Sequence, residues 1–351
     1  MPNGIEQEEV KENTMMTTAP LPQVAGRKAI PAKNLSGRDL VSITDFTPEE
    51  ITSALDLALA MKARPADFRS SLSGKQLVLF FEKPSLRTRL TFESGICSLG
   101  GVSFFVDQTS SRLGEREPLD DMAHNLERWV DGIVLRTFSH ETGRVMAEHA
   151  SIPVINALSD HEHPCQALAD VLTLKEQFGS LHGVKVAFVG DGNNVAHSLM
   201  LAAASVGAHI VVGTPENHKP SAAVLKAAQK IGKHNGGQVE WTSDPIAAVT
   251  GAQAVYTDVW ASMGKESEAA QRKLEFAPYQ VNQKLMSHAA KKAIFMHCLP
   301  AHRGDEVTAD VIDSPISVVF DQAENRLHAQ KAILLMLLGG SGRFPSRSAH
   351  A

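Results

Sequence analysis

The chain alternates short, mostly apolar runs with longer segments whose apolar residues recur at helical spacing. The apolar runs predict buried strands at 76–81, 102–106, 132–135, 184–189, 209–212, 254–256, 293–296 and 318–320. The helical spacing predicts helices at about 85–99, 119–130, 163–178, 195–206, 221–231 and 323–338. Short buried strands that alternate with helices are typical of α/β proteins with parallel sheets.

The first predicted helix has a well-marked start. Thr47 is a capping residue, Pro48 follows at the first helical position, and Glu50 stands three residues after the cap. Ile51 and Leu55 then begin an apolar face. The sequence therefore predicts that this helix begins at residue 48.

The length of 351 residues indicates two domains, at about 150 residues per domain. The predicted helix at 163–178 is long enough to bridge two lobes of similar size. The predicted fold class is α/β, with two domains that each have a central parallel sheet flanked by helices and that are joined by long interdomain helices.

Residues 1–34 carry no hydrophobic periodicity and predict a disordered N-terminal extension, or a misassigned start codon upstream of Met15 or Met16. The segment lacks the apolar core of a secretory signal. Its glutamates argue against a mitochondrial presequence, which is usually poor in acidic residues.

The composition of the chain argues against several kinds of partner and environment. Lys and Arg total 34 against 39 Asp and Glu, a net charge of -5, so we expect no nucleic-acid partner. No run of about 18 apolar residues occurs, so we expect no membrane span. Cys97, Cys165 and Cys298 form neither a disulfide framework nor a close metal-ligand spacing, which fits a reducing cytoplasm.

Polar sequence follows several of the predicted strands, where ligands bind in doubly wound folds. Residues 81–89, Phe-Glu-Lys-Pro-Ser-Leu-Arg-Thr-Arg, combine a helix start, two hydroxyl groups and two guanidinium groups, as a phosphate site requires. Alternatively, Ser85 only caps the helix and the arginines are solvated. Arg136 directly follows another predicted strand and is either a ligand or a surface arginine.

Two further segments are open to more than one interpretation. His161, His163 and Cys165 straddle a proline and a helix start, which makes a shared metal ion awkward, whereas His163 and Gln166 could bind a ligand's carbonyl and amide. Cys298 could be a nucleophile with a nearby histidine as base, an orienting thiol or a buried structural residue.

The segment 189–194, Val-Gly-Asp-Gly-Asn-Asn, follows a predicted strand and opens a helix. A dinucleotide motif would need glycine at 195, where Val195 stands, so we expect no nicotinamide cofactor. The amides suit a carboxylate or amino group of a small ligand.

Taken in order, these motifs resemble the aspartate/ornithine carbamoyltransferase family over about residues 35 to 340. The family's Ser-x-Arg-Thr-Arg and His-Pro-x-Gln-x-Leu-x-Asp signatures stand at 85–89 and 163–170. Residues 258–264, Asp-Val-Trp-Ala-Ser-Met-Gly, and 297–300, His-Cys-Leu-Pro, resemble the ornithine-specific members.

The resemblance implies transfer of a carbamoyl group from carbamoyl phosphate to the δ-amino group of L-ornithine, without a metal or other cofactor. It also implies a cytoplasmic homotrimer with active sites at subunit interfaces. The expected domains are 35–165 for carbamoyl phosphate and 166–322 for ornithine, with 323–351 forming a helix that returns to the first domain and then a tail.

The resemblance also implies residue roles. Carbamoyl phosphate would contact Ser85, Leu86, Arg87, Thr88, Arg112, Arg136, His163, Gln166, Cys298, Leu299 and Arg326. Ornithine would contact Asn194, Asp258, Ser262 and Met263. The residues expected to act in catalysis are Arg136, His163, Asp258 and Cys298.

Two residues depart from the family pattern. Leu86 stands where many members have Thr, and acts there mainly through its backbone amide. Arg112 stands where many members have Gln or His, in a loop that reaches the neighbouring subunit's site. Competing interpretations are a putrescine, N-acetylornithine or N-succinylornithine carbamoyltransferase, a non-catalytic binding protein and a dinucleotide-dependent oxidoreductase.

Overall fold

The computed structural model describes residues 33–110, 112–261 and 269–339. The strands are β1 (Gln76–Phe81), β2 (Val102–Asp107), β3 (Gly132–Arg136), β4 (Val154–Leu158), β5 (Lys185–Val189), β6 (His209–Gly213), β7 (Gln238–Thr242), β8 (Ala254–Thr257) and β9 (Ile294–His297). The helices are α1 (Pro48–Ala63), α2 (Leu86–Ser98), α3 (Leu119–Leu126), α4 (His140–His149), α5 (Pro164–Phe178), α6 (Asn194–Ser205), α7 (Ala222–Asn235), α8 (Pro245–Val249), α9 (Ala269–Phe276), α10 (Gln283–Met286), α11 (Ala309–Ile312) and α12 (Val319–Leu338).

Within this described part, the strands form two parallel sheets. The first has the order β2-β1-β3-β4 and the second has the order β7-β6-β5-β8-β9. Helices lie between the strands in the sequence, as parallel connections require. The predicted α/β class with two parallel sheets is confirmed.

The start of α1 is as predicted. The Thr47 hydroxyl accepts a hydrogen bond from the Glu50 N–H, and the Glu50 carboxylate accepts one from the Thr47 N–H. Ile51 and Leu55 are buried in the core. Local capping chemistry and the apolar face therefore agree on the position of this helix.

The predicted strand at 318–320 is wrong. Val319 and Phe320 are the first residues of α12, so this helix begins before the predicted residue 323. A short apolar run fits a strand or a buried helical turn equally well. Here Ser317 forms only an isolated bridge to Phe295, and Val319 packs into the core of the second sheet.

The predicted helix at 119–130 ends earlier, at Leu126. The chain turns there so that Asp131 can pair with the start of β1, where its carboxylate accepts a hydrogen bond from the Gln76 N–H at 2.9 Å. Arg136 is the last residue of β3 rather than the residue after it.

The C-terminal helix α12 packs against α1, α2 and α5, and so completes the core of the first sheet. Near its end, the Met336 carbonyl accepts a hydrogen bond from the Leu35 N–H at 3.0 Å. Neither α12 nor any other helix among the described residues is long and apolar enough to cross a membrane.

Candidate active site

One large pocket lies where the strand order of each sheet reverses. In the first sheet the order reverses between β1 and β3, and in the second between β5 and β8. Loops at the carboxyl ends of these four strands line a cavity of about 640 Å³. Ligands of open α/β sheets bind at such points, so the fold places two switch points around one site.

The pocket gathers nearly all of the residues predicted for the site. Those that line it are Ser85, Leu86, Arg87, Thr88, Arg136, His163, Gln166, Asn194, Asp258, Cys298, Leu299 and Arg326. Lys83, Asn193 and residues 217–219 also line it and were not assigned a role from the sequence. Most of the residues predicted for the site therefore line one pocket, and the sequence did not predict the whole lining of that pocket.

At the end of β1, the start of α2 faces the pocket. The Ser85 hydroxyl accepts a hydrogen bond from the Thr88 N–H at 3.2 Å and caps the helix. The Leu86 side chain is 72% exposed. Arg87 is half-buried against the cavity, so a capping serine and a pocket arginine are both present here.

Two buried arginines face the same end of the pocket. Arg136 donates from Nε to the Lys83 carbonyl at 3.2 Å. Arg326, on α12, donates from Nη1 to Gln166 Oε1 at 2.5 Å and from Nη2 to Thr88 Oγ1 at 3.0 Å. Its Nε has no hydrogen-bond partner among the described residues. The arginines therefore keep donor capacity for a ligand.

These cations repel one another. Burial, together with the nearby guanidinium groups of Arg326 and Arg87, lowers the pKa of Arg136 to about 9, which leaves it cationic at neutral pH. Burial and then Arg136 lower the pKa of Lys83. Within the described part of the chain, no carboxylate lies within ion-pairing distance of these arginines. A bound dianion would relieve this repulsion.

We expect inorganic phosphate to raise the melting temperature of the protein by a few degrees, because a ligand that binds only the folded state stabilises it. The Arg87→Ala variant should lose most of this shift in a thermal melt followed by circular dichroism. Arg144→Ala is a matched control, since Arg144 is exposed on α4 and pairs with Glu141. A shift that survives in the Arg87 variant would contradict this prediction.

His163 stands at the start of α5 as a neutral imidazole. Burial lowers its pKa well below 6.5, and the charges of Arg326 and Arg136 act in the same direction. Its backbone N–H donates to the Ser198 hydroxyl at 2.9 Å, while Nδ1 has no partner among the described residues. A neutral imidazole still carries one N–H group, which can donate a hydrogen bond to a ligand's carbonyl oxygen.

In the second sheet, Asp258 directly follows β8 and lines the pocket. Oδ1 accepts hydrogen bonds from the Val259 N–H at 2.8 Å and from the Cys298 thiol at 3.0 Å. Oδ2 accepts one from the Asn193 side chain at 2.9 Å. Asp191, the neighbouring carboxylate, is instead paired with Arg272. The Asp258 carboxylate is therefore held by uncharged donors at the wall of the pocket.

The geometry favours Cys298 as an orienting thiol. Burial and the Asp258 carboxylate raise its pKa well above 9, so the group is a neutral thiol that donates to Asp258. The adjacent His297 accepts a hydrogen bond from the Leu299 N–H at Nδ1 and contacts Glu306 through Nε2. No free imidazole nitrogen remains on His297 to remove the thiol proton, as a nucleophile would require.

The same contacts bear on metal binding. Among the described residues, Asp258, His297 and Cys298 are the group whose potential ligand atoms lie close together. Since both His297 nitrogens are engaged with protein atoms, the group does not offer three free ligands. In the sequence-predicted group of His161, His163 and Cys165, the buried Cys165 thiol is engaged with the Asn156 carbonyl.

The turn after β5 forms part of the pocket wall. A side chain at Gly192 would collide with backbone, because a Cβ atom there would lie 2.3 Å from the Pro220 nitrogen. Asn193 caps α6, and Asn194 donates to the Ser159 carbonyl at 2.6 Å. The sequence interpretation selected Asn194 and overlooked Asn193, although a residue just before an apolar helix is a typical capping position.

Three predicted residues are not part of the described pocket wall. Arg112 does not line it; its guanidinium carbon lies 4.7 Å from the Phe138 ring centroid. The Lys83 ammonium contacts the same ring at 4.4 Å, so Arg112 is close to the cationic end. Ser262 and Met263 lie outside the described residues.

Fold and site together define an α/β protein with two parallel sheets and a pocket lined by several cationic side chains. The family model described as "Aspartate/ornithine carbamoyltransferase, carbamoyl-P binding domain" matches residues 38–176, and the one described as "Asp/Orn binding domain" matches residues 182–337. The chain belongs to the aspartate/ornithine carbamoyltransferase family, which confirms the resemblance seen in the sequence.

Its relatives are close over most of their length. It is 55% identical to the ornithine carbamoyltransferase of Symbiobacterium thermophilum over 87% of this chain and 99% of that protein. It is 54% identical to that of Carboxydothermus hydrogenoformans over 86% of this chain and 98% of that protein. The solved ornithine carbamoyltransferase of Pyrococcus furiosus matches with a TM-score of 0.85 at 50% identity, covering 88% of this chain and 99% of that one.

Proposed function

We infer that the protein transfers the carbamoyl group of carbamoyl phosphate to the δ-amino group of L-ornithine, giving L-citrulline and phosphate. The division of charge in one pocket carries this conclusion. Cations cluster around Arg87, Arg136 and Arg326, and the Asp258 carboxylate, which follows β8 of the second sheet, lines the same pocket. This arrangement suits a dianionic donor beside an amine acceptor.

The chemistry needs positioning more than covalent help. Carbamoyl phosphate is an activated acyl donor with a good leaving group. The enzyme must bind a dianion, polarise the carbamoyl oxygen and place a neutral amine about 3 Å from the carbon. The δ-amine resembles a lysine amine, with a solution pKa of about 10.4, and must lose a proton before it attacks.

On the donor side, we propose that Ser85, Leu86 (through its backbone amide), Arg87 and Thr88 hold the phosphate, with Arg136 and Arg326 adding charge. Arg136, His163 and Thr88 would hydrogen-bond the carbamoyl oxygen as negative charge develops there. Gln166 and the Leu299 carbonyl would hold the carbamoyl NH2 group. The proximity of Arg326 to Gln166 and Thr88 supports this assignment.

On the acceptor side, we propose that Asn194, Asp258, Ser262 and the Met263 backbone amide bind ornithine's α-amino and α-carboxylate groups. Cys298 and Asp258 would also orient the δ-amine. The thiol-to-carboxylate hydrogen bond that points both groups at the pocket supports this role. The first domain, 35–165, would then bind the donor, and the second, 166–322, the acceptor.

We also propose a cytoplasmic homotrimer in which the loop bearing Arg112 reaches the neighbouring subunit's site. Exposed apolar side chains on α2 and β2, two elements in contact with each other, support a subunit contact, since exposed apolar patches mark interaction sites. The side chains concerned are those of Leu86, Leu90, Val102 and Phe104, each at least half exposed.

The testing experiment is carbamoyl transfer from carbamoyl phosphate to ornithine, putrescine and N-acetylornithine, with phosphate release followed in parallel. We expect a strong preference for ornithine, because putrescine lacks the α-carboxylate and acetylation removes the α-ammonium charge. Preference for another amine would keep the donor half of the proposal and refute the acceptor half. No turnover with any amine would refute the activity.

A further inference from the structure

We propose that Asn193 is a positioning residue for the acceptor, because it holds the Asp258 carboxylate in the orientation that leaves one acceptor position for the substrate amine. This inference rests on the proposed function and deepens it. It concerns a residue that would act through Asp258 rather than by bonding to the substrate.

The Asn193 side chain joins the start of α6 to Asp258, the residue that follows β8. Its Oδ1 accepts hydrogen bonds from the N–H groups of Val195 and Ala196, at 2.9 and 3.2 Å, and so caps α6. Its Nδ2 donates to Asp258 Oδ2 at 2.9 Å. Because the two backbone donors require an oxygen, the amide has one possible orientation, and its NH2 group must face Asp258.

Counting lone pairs shows what this contact does to Asp258. An ionised carboxylate offers about four acceptor positions. Val259 and Cys298 fill those on Oδ1, and Asn193 fills one on Oδ2. Among the described residues no donor takes the fourth position, on Oδ2, and Asp258 lines the pocket, so an amino group of the substrate can take it.

The three donors are not equivalent. Val259 and Cys298 both bind Oδ1, and a thiol is a weak donor. Without the Asn193 amide, the two remaining protein donors would both bind the same carboxylate oxygen, Oδ1. The carboxylate could then turn about its Cβ–Cγ bond, and Oδ2 would no longer be fixed toward the substrate.

Two substitutions separate this role from helix capping. Serine and aspartate cap helices about as well as asparagine, so Asn193→Ser should keep the melting temperature close to that of the wild type, and Asn193→Asp should lower it only by the cost of the added like charge. The serine hydroxyl is too short to reach Asp258 while it caps α6. The aspartate places a like charge against the Asp258 carboxylate.

We expect the KM for ornithine to rise about 10-fold in Asn193→Ser and about 100-fold in Asn193→Asp, since a lost charged hydrogen bond costs less than a like-charge contact. The KM for carbamoyl phosphate and the phosphate-induced shift in melting temperature should change less than about twofold. A purely structural role would not divide the two substrates in this way.

Asn282 provides the matched control. It caps α10 in the same manner, its Oδ1 accepting from the Leu285 N–H at 3.0 Å, and it does not line the pocket. Asn282→Ser and Asn282→Asp should reproduce any small change in melting temperature and leave both KM values unaltered.

An unchanged ornithine KM in both Asn193 variants would overturn the proposal. So would an equal rise in the KM of both substrates, which would indicate general disturbance of the site. The wild-type assay keeps the proposed function separate. If the wild type uses a different amine, the ornithine assignment fails, and the Asn193 variants are measured with that amine, whose KM must rise if Asn193 positions Asp258.

Discussion

Replacing Arg136 with alanine should lower kcat by about 10²–10³-fold with every amine acceptor. In the proposed mechanism, its guanidinium group binds the phosphate and the carbamoyl oxygen, where charge develops in the transition state. Removal of one such preorganised donor costs about this much in other enzymes. Because Arg136 is buried and faces two other arginines, water would replace its charge poorly.

Steady-state kinetics with ornithine and with the poorer amines would measure this effect. Arg136→Lys should recover only part of the rate, since an ammonium lacks the planar fork of donors that a guanidinium presents. Arg144→Ala, on the exposed face of α4, should behave as the wild type. A loss confined to one amine would be inconsistent with a role on the donor side.

Asp258→Ala should raise the KM for ornithine about 100-fold and leave donor binding nearly unchanged. The substitution removes the carboxylate that would bind an amino group of the substrate, and a hydrogen bond to a charged group contributes about 1.5–3 kcal/mol. It also removes the acceptor of the Cys298 thiol, so the orientation of the δ-amine should suffer and kcat should fall.

The phosphate-induced shift in melting temperature reports on the donor side in this variant. It should match that of the wild type, because Asp258 follows a strand of the second sheet and its hydrogen-bond partners among the described residues are Val259, Cys298 and Asn193 rather than the arginines. Loss of that shift together with the rise in KM would mean that Asp258 supports the whole pocket, and the proposed division between donor and acceptor halves would then be wrong.

Patterns that depend on neighbours in the chain were predictable. β1 was predicted with its observed limits because residues 77–81 are uninterrupted apolar residues between polar ones, and α1 because its cap and first turn are contiguous. β4 was missed because Asn156 interrupts its apolar run. In the fold, that side chain is buried and donates to the Val41 carbonyl at 2.9 Å, across 115 residues of sequence.

The site shows the same limit. Residues of the motifs at 85–89 and 163–170 line the pocket, and these motifs could be recognised because helix starts and strand ends are local features. The role of Asn193 was not predictable, because its partner Asp258 lies 65 residues further along the chain. The choice between a nucleophilic and an orienting Cys298 likewise depended on its distance to Asp258 and on the hydrogen bonds of His297. The spacing of residues in the sequence gives neither.

The return of α12 to the first sheet affects the order of events during synthesis. Among the described elements this helix is synthesised last, yet it packs against α1 and α2 and supplies Arg326 to the pocket. Domains usually fold as units while the ribosome is still translating, N-terminal part first. The core of the first sheet therefore lacks one apolar wall until α12 has been synthesised. A chain cut before Val319 would expose the apolar surface that α12 covers and would lack Arg326 in the pocket.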